Sequence, residues 1–327
     1  MKKTGNIRIT VFLIATLFLL SIHAAAEKYL IPGGCTVGIR ADVQGLIVTG
    51  VEKGLPASRS GIREGDVLLK LNGAPLRSAE ELSEAAKEGK LDLTLDRDGT
   101  RRQVSVDPAA EDGGKRIGVT VRDHVAGIGT VTYYDPTDRS FGALGHGITD
   151  PAGRELIPIT GGVIVESSVC DVVKGKSGAA GQLSGSFRTD HVEGSLSSNT
   201  EFGVFGSMEA PEGMPVAVAE RDEIKPGPAE ICANVEGTEI RSYAAEILKV
   251  YGEEKPDGRD LLLRVTDPEL LKRTGGIVQG MSGSPILQNG KLVGAVTHVL
   301  VNTPDTGYGI TMETMLNAAE RSVPACA

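Results

Sequence analysis

Thr274-Gly275-Gly276-Ile277-Val278-Gln279-Gly280-Met281-Ser282-Gly283-Ser284-Pro285-Ile286-Leu287 sets Ser282 in a glycine-flanked turn between two apolar runs. Glycine on both sides frees the backbone to bend tightly, so that an Oγ stands exposed while neighbouring N–H groups converge on one point. A serine hydroxyl is a poor nucleophile at neutral pH and needs a base within hydrogen-bond reach. The chain holds five histidines: His23, His124, His146, His191 and His298. His146 lies in Phe141-Gly142-Ala143-Leu144-Gly145-His146-Gly147-Ile148, where glycines let the ring reach a cleft, and it is the base this reading selects. His298 follows a strand just after the serine turn and is read as core or cleft lining. A carboxylate must orient the imidazole. Asp267 ends the run Leu261-Leu262-Leu263-Arg264-Val265-Thr266 and precedes Pro268, a place where it serves equally as a helix cap. Asp150 and Asp171 are the fallback acids.

Gly280-Met281-Ser282-Gly283-Ser284-Pro285 resembles the G-x-S-G-x-P nucleophile loop of chymotrypsin-like serine proteases. By that resemblance the N–H groups of Gly280 and Ser282 hold the oxyanion. Around the loop, residues 117–327 carry many short apolar runs separated by turn signals, and one obvious helix at 312–321, which predicts an all-β barrel or sandwich. Residues 174–198, rich in Gly and Ser, read as a flexible stretch or as ordered loops. Residues 109–116 are polar and Gly-rich and read as a linker.

Upstream, in residues 27–108, short strands surround one amphipathic helix at 78–87, with Ser78 as its cap. Gly54-Leu55-Pro56-Ala57-Ser58-Arg59-Ser60-Gly61-Ile62-Arg63-Glu64-Gly65-Asp66-Val67-Leu68-Leu69-Lys70-Leu71-Asn72-Gly73 resembles the PDZ domains of bacterial envelope proteases. Such domains bind an extended peptide as an added strand. By position, Thr36, Val37, Gly38 and Ile39 form the peptide-binding loop, which lacks the usual Gly-aromatic-Gly-aromatic form, so internal or self segments fit it as well as a C-terminal carboxylate does.

Lys2, Lys3 and Arg8 precede an apolar run ending near Ile22, and Ala24-Ala25-Ala26 follows, so residues 1–26 read as a signal peptide or a membrane anchor. Either reading puts the body of the protein outside the cytoplasm. A net charge of −9 argues against a nucleic-acid partner. Cys35, Cys170, Cys232 and Cys326 lie far apart with no histidine at ligand spacing, so no metal and no cofactor are expected.

The order of export segment, PDZ-like unit, His146, Asp267 and the Ser282 loop, followed by Gly294-Ala295-Val296-Thr297-His298-Val299, resembles the stage IV sporulation protein B peptidases over nearly the whole chain. The resemblance implies a mainly β protein, a PDZ domain followed by a chymotrypsin-like barrel peptidase, with His146, Asp267 and Ser282 as the triad. It further implies a secreted or membrane-anchored signalling peptidase in the space between forespore and mother cell. Its substrates there are itself and a membrane-bound regulator of an intramembrane protease. Two alternatives stand beside it: a non-catalytic PDZ scaffold, and a general envelope quality-control protease.

Overall fold

In the computed structural model, which describes residues 27–111, 114–149, 155–252 and 258–322, strands dominate. After β1 (Tyr29–Pro32) comes β2 (Thr36–Val51), whose Val37, Ile39, Ala41 and Val43 alternate into the interior. That period of two is what a strand with one buried face requires. The PDZ unit continues through α1 (Pro56–Arg59), β3 (Val67–Leu71), β4 (Ala74–Pro75), α2 (Ala79–Glu88), β5 (Leu91–Arg97) and β6 (Thr100–Val106). Ser78 caps α2 by accepting from the Glu81 N–H at 3.2 Å. Leu82 and Ala86 on the apolar stripe of α2 pack with Leu46, Leu68, Leu91, Leu93 and Leu95.

Residues 109–116 are not a bare linker: β7 (Ala109–Glu111) and β8 (Gly114–Arg116) pair as a hairpin. The chain then enters β9 (Val119–Tyr134), whose start lies in the PDZ sheet, Val119 beside Val51 and Val121 beside Val48. Ile117 is buried in the same core as Leu82. The boundary drawn at 108 and 117 therefore cuts through packed structure.

The second half of β9 belongs to a barrel with β10 (Ser140–Ala143), β11 (Ile159–Val173), β12 (Gln182–Thr200) and β13 (Gly203–Met208). Pairings β2–β9, β9–β10, β10–β13, β13–β12, β12–β11 and β11–β2 close a ring of six strands. Its interior holds Val37, Ile39, Val131, Phe141, Ile164 and Val204. Residues 174–181 of the Gly/Ser-rich stretch form ordered turns, and from Gln182 on it is the long strand β12. Its small residues allow close approach, since a Cβ at Gly194 would come within 2.6 Å of the Met208 Cβ.

This barrel also overturns the expected peptide site. Val37, Gly38 and Ile39 face Glu166, Val165 and Ile164 of β11, while Thr36 to Ile39 pair on their other side with residues 127–130 of β9. Strand addition needs an unpaired edge. Thr36, Val37, Gly38 and Ile39 are buried with both edges taken, so no peptide can join them there.

After β14 (Val216–Ala217), which pairs with β1, a second barrel forms from β15 (Gly227–Ala233), β16 (Arg241–Val250), β17 (Leu261–Val265), β18 (Pro285–Gln288), β19 (Lys291–Val299) and β20 (Thr306–Thr311). Helix α3 (Pro268–Thr274) interrupts it, and α4 (Met312–Ser322) ends the described chain. Met312 and Met315 of α4 pack against Tyr133 and Phe205 of the first barrel and Leu292 and Ile310 of the second. Two six-stranded barrels behind a PDZ unit are the chymotrypsin-like architecture expected. Cys35, Cys170 and Cys232 are free thiols, and Cys326 lies outside the described residues.

Candidate active site

From β10 the first barrel turns through Leu144 and Gly145, both left-handed at φ +70° and +69°. A Cβ at Gly145 would stand 2.9 Å from the Thr297 Cγ2, so glycine lets this turn press on β19 of the second barrel. The turn delivers His146, half-buried, into the cleft between the barrels. Its Nδ1 lies 2.9 Å from the Gly147 carbonyl oxygen. A carbonyl only accepts, so Nδ1 carries the proton and the neutral ring keeps its lone pair on Nε2. Burial holds the His146 pKa below its ordinary value of 6.5, against the opposing pull of the Gly147 bond. The ring of His298, on β19, lies 5.3 Å away between centroids.

Ser282 enters the same cleft from the second barrel. Five successive carbonyls of its turn are engaged: Gln279 by Leu183 N–H at 2.8 Å, Gly280 by Thr130 Oγ1 at 2.7 Å, Met281 by Ser284 N–H at 2.9 Å, Ser282 by Thr130 N–H at 3.0 Å and Gly283 by Thr132 Oγ1 at 2.8 Å. The turn accepts only glycine at 283, where φ is +97° and a Cβ would fall 2.0 Å from the Thr130 oxygen. The N–H groups of Met281 and Gly283 go to Val278 and Val296 carbonyls. Those of Gly280 and Ser282 find no acceptor among the described residues. They are two donors beside the Ser282 hydroxyl, the arrangement that holding a developing oxyanion requires.

The Ser282 Oγ–H donates to the Thr297 carbonyl at 2.9 Å. A hydroxyl has one proton, so nucleophilic attack requires it to leave Thr297 and turn to the Nε2 of His146. The cleft, about 890 Å³, is lined around these groups by the apolar side chains of Ile128, Leu144, Ile277 and Val278 and by the exposed carboxylate of Glu201.

The sequence profile of the SpoIVB peptidase S55 family matches residues 113–316, and that of the PDZ domain matches residues 28–95. The chain belongs to the SpoIVB peptidase S55 family. A probable periplasmic serine endoprotease, DegP-like, from Chlamydia trachomatis serovar D is 37% identical to it over 54 residues, 16% of this chain and 11% of that protein. The chain thus matches only about a tenth of the length of that relative. Among solved structures, the PDZ domain of an SdrC-like protein from Listeria monocytogenes covers 24% of this chain and 90% of its own, at 20% identity and a TM-score of 0.23. The Rv3671c protease in an inactive form covers 60% of this chain and 84% of its own, at 16% identity and a TM-score of 0.36.

In this member of the SpoIVB peptidase S55 family, the structure brings His146, Ser282 and the Gly280 and Ser282 N–H groups to one cleft. Asp267 is not part of that lining. Its carboxylate caps α3, accepting from Glu269 and Leu270 N–H groups at 2.9 and 3.0 Å and from Ala244 N–H at 3.4 Å. The competing cap reading describes its position, and the Gly147 carbonyl occupies the Nδ1 side of His146 instead. Asp171 is exposed on β11, and Asp150 lies outside the described residues. Sequence reasoning missed Glu201, an unremarkable acid in a turn, and Thr130, whose only signal is its two-residue spacing from Thr132 on one strand face.

Proposed function

We propose that this peptidase is a signalling serine endopeptidase of sporulation. In this reading it is exported across the forespore inner membrane, by a leader that is cleaved or kept as an anchor. In the intermembrane space it cleaves itself and a membrane-bound regulator of an intramembrane protease, which starts late sigma-factor processing. The reading is supported by membership of the SpoIVB family and by a PDZ unit placed ahead of the peptidase.

One observation carries the chemistry: Ser282, His146 and two unengaged N–H groups share one cleft. Ser282 Oγ attacks the peptide carbonyl while His146 Nε2 takes its proton, and the Gly280 and Ser282 N–H groups hold the oxyanion. His146 then gives that proton to the leaving amine, and water releases the acyl group by the same steps. The Gly147 carbonyl keeps Nδ1 protonated throughout, the tautomer-fixing part that a carboxylate plays elsewhere.

The test follows the intact mass of a chain starting at Glu27, wild type beside Ser282→Ala. Trimming in the wild type alone supports self-cleavage, and equal trimming in both rejects Ser282 as nucleophile. A fluorophosphonate that fails to label the wild type would favour the PDZ scaffold, while digestion of unfolded casein would favour a quality-control protease.

A further inference from the structure

Two peptide units in the nucleophile turn carry the oxyanion donors: 279–280 bears the Gly280 N–H, and 281–282 bears the Ser282 N–H. Between them lies the unit 280–281, whose tilt sets the angle at which the two donors converge. Its carbonyl, that of Gly280, accepts from the Thr130 Oγ1 at 2.7 Å. Gly280 sits at φ +100° and has no side chain to resist rotation of that unit. The Thr130 backbone N–H grips unit 282–283, just beyond the one that bears the Ser282 N–H, through the Ser282 carbonyl at 3.0 Å, and its own carbonyl accepts from the Leu144 N–H at 3.1 Å, at the start of the turn that carries His146. Thr130 is fully buried, on β9 of the opposite barrel, so water does not compete for these bonds.

We propose that Thr130 is a positioning residue for the oxyanion site: its hydroxyl holds the Gly280 carbonyl down so that the Gly280 and Ser282 N–H groups aim at one point. The proposal rests on Ser282 being the nucleophile. Losing the hydroxyl leaves the 280–281 unit held at its other end by the Met281 N–H on the Val278 carbonyl at 3.1 Å, so that it tilts about that bond and the glycine and turns the donors apart, while the cleft that binds substrate keeps its walls. The defect therefore belongs to the covalent step and not to binding.

The experiment uses the full-length protein as wild type, Thr130→Val and Thr130→Ser, each titrated with a fluorophosphonate to separate the inactivation constant KI from the maximal rate kinact at Ser282. Deleting an oxyanion donor outright costs about 10²–10³ in rate, and misaiming two donors should cost roughly ten- to a hundredfold. Thr130→Val, close to isosteric, is expected to lose that much kinact with KI nearly unchanged. Thr130→Ser, which keeps the donor and drops a methyl group, should recover most of it. If folded Thr130→Val labels at the wild-type kinact, or if Thr130→Ser is as slow as Thr130→Val, the proposal is wrong and the bond is only structural. Should Thr130→Val not fold, a slow but folded Thr130→Ser overturns the proposal and a fast one supports it. A wild type that never labels at Ser282 overturns the nucleophile assignment, and this proposal with it.

Discussion

At His146 the burial that depresses its pKa has two consequences of known sign. With the neutral imidazole as the proposed base, the labelling rate at Ser282 should rise with pH along an acid limb whose midpoint lies below 6.5. A limb centred above 6.5 would mean that the ring is stabilised as imidazolium in the resting enzyme. For stability, the unfolded chain protonates this histidine first as pH falls, so stability drops as pH falls below 6.5, and the loss is complete below the folded pKa. Asp267 provides a second test on this scale. As a cap of α3 it can be replaced by Asn at little cost, whereas Asp267→Ala should cost about 0.5–2 kcal/mol of stability. The geometry predicts that folded Asp267→Asn labels at close to the wild-type rate. A loss near 10⁴-fold, the effect of a wrong imidazole tautomer, would show that the carboxylate reaches His146 during catalysis.

Among the elements, those with a strong local signal match their expected positions. Helix α2 has its Ser78 cap and its stripe of Leu82 and Ala86, and β17 covers the apolar run 261–265. β12 does not, because its Gly and Ser residues say nothing local about strand formation; neighbours β11 and β13 decide it by pairing on both sides. In the PDZ unit, Asp66 is only 1% exposed and receives Arg97 Nε at 2.6 Å and a second guanidinium nitrogen at 2.7 Å, tying β5 to the start of β3. Arg97→Ala leaves that buried carboxylate with the Arg63 N–H at 2.8 Å but without its cation, and urea unfolding should register a loss of about 3–5 kcal/mol. A loss below about 1 kcal/mol, typical of exposed pairs, would mean that water reaches Asp66.

For the whole molecule, β2 and β9 are each shared: one end of each lies in the PDZ sheet and the other in the first barrel. Removing residues 28–108 takes β2 out of a six-stranded ring, so the remaining chain should not give a soluble, cooperatively melting peptidase. In calorimetry the intact protein should melt in one transition, and an independent PDZ transition would show that the shared strands do not couple the units. The serine turn with its glycines, the His146 turn and the strand-rich class were legible in the sequence, because each depends on local backbone freedom or on a period of two. The partners of those residues were not. That β2 has no free edge for a peptide, that Asp267 turns to the N–H groups of α3, and that Thr130 holds a carbonyl 150 residues away follow from long-range strand pairing. Local residue patterns thus named the strand-rich class and the candidates for the chemistry, while long-range packing fixed what each one faces, because a hydrogen bond depends on where the fold brings its two groups and not on their separation along the chain.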